Sequence, residues 1–149
     1  MKSLANSRDL DRLVHRLGGL GPSTPRRWGT LPPHEMLCHL ADASASILDR
    51  PGGTAGRPRR LTKWLALYTA LPWPRGLRTP ASVDPRQGGS RPDSFDRDRE
   101  RAVAGLRGLA VAGDGALPAG HGRFGAMGAR DWHRWGWRHT DHHLRQFGL

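Results

Sequence analysis

The feature that most constrains this chain is the segment from Asp131 to Gln146, which packs Trp132, Trp135 and Trp137 among His133, His139, His142 and His143. Read as a helix at ~100° per residue, it sets His139 and His143 about 40° apart, one turn above the other. Trp132, Trp135, Gly136 and Gln146 fall within about 60° of the same direction, whereas Arg134, Arg138, Asp141 and Arg145 point the opposite way. Two histidines therefore look out of the buried, aromatic side of a helix. Such a pair marks either a metal site or an expensive core, because a buried imidazole must find a partner for each nitrogen.

The chain has 149 residues, the size of one domain, and its single cysteine, Cys38, excludes an internal disulfide and any Cys-x-x-Cys zinc knuckle. Its first residues lack the apolar run of a signal peptide, and the longest apolar stretch, Trp64 to Leu71, is too short to span a bilayer. A soluble cytoplasmic protein is the expectation. The formal charge of +11 invites a nucleic-acid reading, but 22 of the 24 basic residues are Arg, alongside abundant Gly, Ala and Pro. That skew fits GC-rich coding better than a phosphate-binding surface, and the arginines are spread through every segment instead of forming one stripe.

Along the chain, Asn6 or Ser7 can cap a first helix with Leu10, Leu13, Val14 and Leu17 on one face, stopped by Gly18 and Gly19. Pro32 and Pro33 open a second helix running to about Leu48, ended by Pro51, Gly52 and Gly53. Residues 52–60 form a basic loop, Leu61 to Leu71 reads as a short, largely buried helix, and residues 72–92 wrap the surface without regular structure. Asp93 or Ser94 caps a further helix whose apolar side carries Phe95, Ala102, Val103, Leu106 and Leu109 or Ala110. A Gly-rich loop from Gly113 to Gly128 leads into the last helix. No strand-like alternation and no repeat is visible. Four main helices plus a short one predict an all-α four-helix bundle in a single domain, 1–149, with the long middle segment as a crossover.

A divalent metal needs a third protein ligand beyond a pair on one helix. The obvious donor is His39, which shares its helix direction with Met36, Ala43 and Ser46 and so also looks inward. Glu35 and Asp42 lie on neighbouring turns of the same side and are the candidate catalytic carboxylates, placed to orient an imidazole or to act on a water that the metal activates. His34 and His39 are five residues apart and diverge by some 140° on a helix, so the zinc-protease His-Glu-x-x-His motif is not formed and His34 is expected at the surface. Cys38 reads as a small buried hydrophobe. His142 and His121 are expected to line the pocket, and Gln146 either bonds a ligand or caps a carbonyl.

The chain resembles the DinB/YfiT-like superfamily of helical-bundle metalloproteins, most closely a small bacterial subgroup. The resemblance runs over nearly the whole length: Met1 to Asn6, His34 to Leu40, Lys63 to Tyr68 with Leu71 to Gly76, His121 to Met127, and Trp132 through His139 and His143 to Gln146. It departs at Gly122, where the resemblance leads one to expect Pro. The superfamily's ligands, one His on the second helix and a His-x-x-x-His pair on the last, correspond to His39, His139 and His143. Zinc or nickel is the implied metal.

Superfamily members include thiol-dependent S-transferases and an isomerase in which the metal activates a low-molecular-weight thiol. The resemblance therefore implies a metal-dependent transferase, or else a hydrolase, acting on a small molecule, and a homodimer by superfamily habit. The rival expectations are a non-catalytic metal-binding stress-response module and a basic nucleic-acid-binding protein.

Overall fold

The helix ends follow local chemistry. Asn6 accepts the Asp9 amide at 3.1 Å and starts α1, Ser7–Gly18. Pro33 occupies the first turn of α2, Pro33–Leu48, where its missing N–H has no intrahelical partner to lose. The other helices are α3, Arg60–Tyr68; α4, Phe95–Val111; and α5, Ala129–Arg145. A short antiparallel hairpin, β1 (Gly120–His121) with β2 (Gly125–Ala126), precedes α5. The computed structural model describes residues 1–55, 57 and 59–149, and these make a mostly helical, all-α chain. Among the described residues no helix is long and apolar enough to cross a membrane.

Leu13 and Leu17 of α1, Met36, Leu37 and Leu40 of α2, Leu106 and Leu109 of α4, and Trp132 and Leu144 of α5 meet in one buried core. The closest pair is α2 with α4. A Cβ on Gly105 would stand 2.6 Å from the Ser44 Cβ, and one on Gly108 2.9 Å from a Leu48 methyl, so hydrogen at these positions lets the two backbones approach.

Helix α5 packs against α1, α2, α3 and α4, and this changes the meaning of its polar side. Arg134 and Asp141 do point away from the histidines, yet both are buried, because other elements cover that side too. Asp141 receives Arg16 of α1 at 2.8 Å, and the Arg134 guanidinium lies 4.3 Å from the centre of the Tyr68 ring.

The short helix α3 departs from the expected burial. Only Leu67 is fully covered, while Leu61 and Trp64 are 71% and 54% exposed. Nine residues make about two and a half turns, and this helix is tethered by polar contacts. Lys63 and Tyr68 both bond the Asp131 carboxylate at the start of α5. The basic loop expected at 52–60 contains Gly56 and Pro58, which lie outside the described residues. At its start Gly52 bonds the backbone of Leu117 and Ala119.

The crossover between α3 and α4 has one 3-10 turn, Ala81–Val83, and it is not a loose wrapping. Three positions on one side of α2 hold it. Glu35 pairs with Arg86, the His39 imidazole bonds the Val83 carbonyl, and Asp42 accepts the Ser90 amide and hydroxyl at 2.6 and 2.7 Å.

Candidate metal centre

His39 stands mid-way along α2 and is buried. Its Nδ1–H donates to the Val83 carbonyl at 2.8 Å, which leaves the lone pair on Nε2. His143 is arranged in the same sense: its Nδ1–H donates to the Gln146 amide oxygen at 3.1 Å. Gln146 is itself fixed by the turn after α1. Gly29, at φ +89°, lies so close that a Cβ there would be 2.9 Å from the Gln146 amide nitrogen. His139 stacks on Trp135 with ring centres 4.5 Å apart, and its Nε2 is 3.1 Å from the His39 Nε2.

The three histidines each offer a ring nitrogen within 4.8 Å of the others, a group that could hold a metal ion. Zinc–imidazole bonds of about 2.0–2.1 Å at the tetrahedral angle place two nitrogens about 3.3 Å apart, close to the 3.1 Å between His39 and His139. Burial lowers the pKa of all three rings. For His139 and His143, well below the ordinary value, the neighbouring imidazoles add to that effect. The neutral form, the one that ligates a cation, is thus favoured at all three positions.

The imidazole orienters are Val83 and Gln146, not the carboxylates suggested by sequence. Glu35 is held by Arg86, and Asp42 by Ser90 and Arg101; neither bonds an imidazole of the triad. Val83 had no signal in the sequence, since a backbone carbonyl contributed by an irregular segment has no residue signature. Gln146 was visible by its spacing one turn beyond His143.

The triad opens into a cavity of about 1090 Å³, and His121, His142 and Gln146 lie in its wall. His142 sits edge-on to Trp28 at 4.9 Å. His121 stacks on Phe124 at 4.6 Å, and its Nδ1 accepts the Arg123 amide at 3.0 Å, which puts its own proton on Nε2. Burial, with Arg123 second, brings its pKa down to about 4, so this ring is a neutral N–H donor near neutral pH.

A second group of ligand-type side chains, His34, Cys38 and Asp98, lies on the α4 side of α2. His34 is half-buried instead of lying free at the surface as expected, and its Nε2 is 2.8 Å from an Asp98 oxygen. Asp98 also accepts Arg101 at 2.9 Å and the Asp93 amide at 3.2 Å, and the Cys38 thiol lies beside it. Burial first, then Asp98, pushes the thiol up to about 12, so it stays protonated.

No family model matches this chain, and no curated protein or solved structure matches it either.

Proposed function

We propose that this protein is a divalent-metal-dependent enzyme of DinB-like, four-helix-bundle type, with His39, His139 and His143 as its ligands and a small molecule as its substrate. A thiol S-transferase reaction is favoured over hydrolysis. One observation carries the reading. His39 and His143 each have the Nδ1 proton engaged by a neighbour, which turns their Nε2 lone pairs to the centre of the triad. Orienting the far nitrogen of a ligating histidine in this way is the usual role of a metal's surrounding shell. The arrangement of α1, α2, α4 and α5 with a long crossover supports the bundle assignment, as does the superfamily resemblance.

Zinc or nickel bound there would remain doubly positive, able to lower the pKa of a thiol or water and to act as a Lewis acid. The chain's own contribution is positional. Trp135 shields one face of the His139 ring, and the His121 Nε2–H offers a neutral hydrogen-bond donor within the same cavity. The cavity opening leaves room for a substrate beside the triad.

The test is metal analysis of protein purified without a polyhistidine tag, followed by cobalt(II) substitution and titration with 2-mercaptoethanol. Stoichiometric zinc or nickel, and a thiolate-to-cobalt charge-transfer band on adding the thiol, are expected. Trace metal in the purified protein, with no uptake of cobalt, ends the metal reading. Cobalt uptake with a spectrum indifferent to thiol ends the transferase reading and leaves a closed, structural ion.

A further inference from the structure

Four arginines converge on the walls of the cavity. Arg50, Arg59, Arg78 and Arg123 reach it from four separate places: the end of α2, the approach to α3, the crossover and the β1–β2 turn. All four are exposed, and none forms an ion pair with a described residue. Arginines outside the cavity, such as Arg8, Arg91 and Arg107, also lack an ion pair with a described residue, so what marks the cavity is that four such groups meet around one enclosed volume. Among the described residues that line the cavity the one carboxylate is Asp84, already bonded by the Arg86 amide and the Gln87 side chain. Arg86 is itself neutralised by Glu35.

Much of the remaining wall is apolar and aromatic, with Trp28, Trp73, Phe124 and Trp135 among its members beside threonines and serines. A cleft of one sign with low-dielectric walls concentrates the opposite charge. A guanidinium fork binds a planar carboxylate in bidentate fashion. A volume of about 1090 Å³ suits an organic molecule instead of a bare inorganic ion.

We propose that this cavity binds a carboxylate-bearing organic molecule, its anionic end among the rim arginines and its apolar body on the aromatic wall. The functional meaning of this inference, a substrate class for the triad, rests on the metal-dependent reading above, but the binding itself does not require the metal.

The experiment compares 2-naphthoate with its neutral isostere 2-naphthamide by calorimetry, on metal-loaded and on chelator-stripped protein. The stripped parent is expected to bind naphthoate at least about tenfold tighter than the amide, the scale of hydrogen bonds to charged groups. The preference should vanish in the triple variant R59Q/R78Q/R123Q. It should persist in a control triple of equal charge, R8Q/R91Q/R107Q, whose residues are exposed and lie outside the cavity. Equal binding of the two probes, no binding of naphthoate, a preference that survives in the rim variant, or one lost equally in the control would each overturn the proposal. Failure of the metal reading would show in metal content and leave these ratios intact; failure of the anion reading would show in the ratios with metal still bound.

Discussion

Helix α2 carries two groups that look alike as inventories. On one side His39 meets His139 and His143; on the other His34 and Cys38 meet Asp98; in both, three ligand-type atoms lie within 4.8 Å of one another. The difference is in what those atoms are already doing. The Asp98 oxygens accept from His34, Arg101 and the Asp93 amide, so the carboxylate has its donors and a guanidinium beside it. In the triad His39 and His143 have their fixed partners on Nδ1, and the Nε2 atoms of His39 and His139 face each other at 3.1 Å. The Asp98 group is a finished network joining α2 to α4. The histidine triad has lone pairs to spare, and spare lone pairs on neutral rings are what a cation needs.

The sharpest way to break that contrast is to exchange the two groups' phenotypes. His143→Ala should lower metal affinity by about a hundredfold or more, since two imidazoles rarely hold a divalent ion against water. Cys38→Ala should leave metal content unchanged. Asp98→Asn should do the reverse, keeping the metal but destabilising the fold by about 2–4 kcal/mol, as expected when one partner of a buried ionic network is removed. Metal analysis and denaturant unfolding of the three purified variants decide it; loss of metal from Cys38→Ala would mean that the Asp98 group is the metal centre.

A smaller effect is expected one layer out. Gln146→Ala removes the acceptor from His143 Nδ1 and frees the ring to turn. Surrounding-shell changes of this kind typically weaken metal binding about 10–100-fold. Competition with a chromogenic chelator reads this directly, and an unchanged affinity would show that Gln146 does not position His143.

How far the sequence foretold these two groups follows from the kind of interaction each uses. The pairing of His139 with His143 was legible because helical periodicity fixes direction, and the inward look of His39 was legible for the same reason. Helix ends at Asn6, Pro33 and Leu48 were marked by capping and breaking residues. What periodicity cannot give is what stands opposite a face. It placed Arg134 and Asp141 correctly in angle and missed that neighbouring elements cover them. It set Glu35 and Asp42 beside His39 without revealing that the crossover lies over all three. His34 was expected at the surface because it diverges by some 140° from His39, and its partner Asp98, 64 residues away in sequence, leaves no local sign.

The two groups should also respond to acid in different windows. The triad histidines have pKa values lowered from 6.5, so the unfolded chain binds protons that the folded chain refuses. Their contribution to stability is full above pH 6.5 and is lost as the pH falls from there towards the folded values. Asp98 has a pKa lowered from 3.8; its contribution is present above that value and is lost as the pH falls through the lower, folded one. Urea unfolding of metal-free protein should therefore show one decline beginning near pH 6.5 and a second below pH 3.8. In His139→Gln the first decline should shrink, while Asp98→Asn should shrink the second, to which Asp9, Asp84 and Asp131 also contribute, and leave the first.

The smallest contrast lies within the anchoring of the crossover. Asp42 is largely buried and bonds Ser90 twice as well as Arg101, whereas Glu35 meets Arg86 with both side chains partly in solvent. Exposed pairs of the second kind contribute about 0–1 kcal/mol, and a buried carboxylate with several donors contributes more. Because the same segment carries the Val83 carbonyl, loosening it should reach the metal only through His39. Asp42→Asn is expected to lower stability by about 1–2 kcal/mol and metal affinity a few-fold, while Glu35→Gln changes metal affinity by less than about twofold. If Glu35→Gln weakened the metal as much as Gln146→Ala does, the carboxylate would have to leave Arg86 and approach the triad, and the division of α2 into ligand and anchor positions would fail.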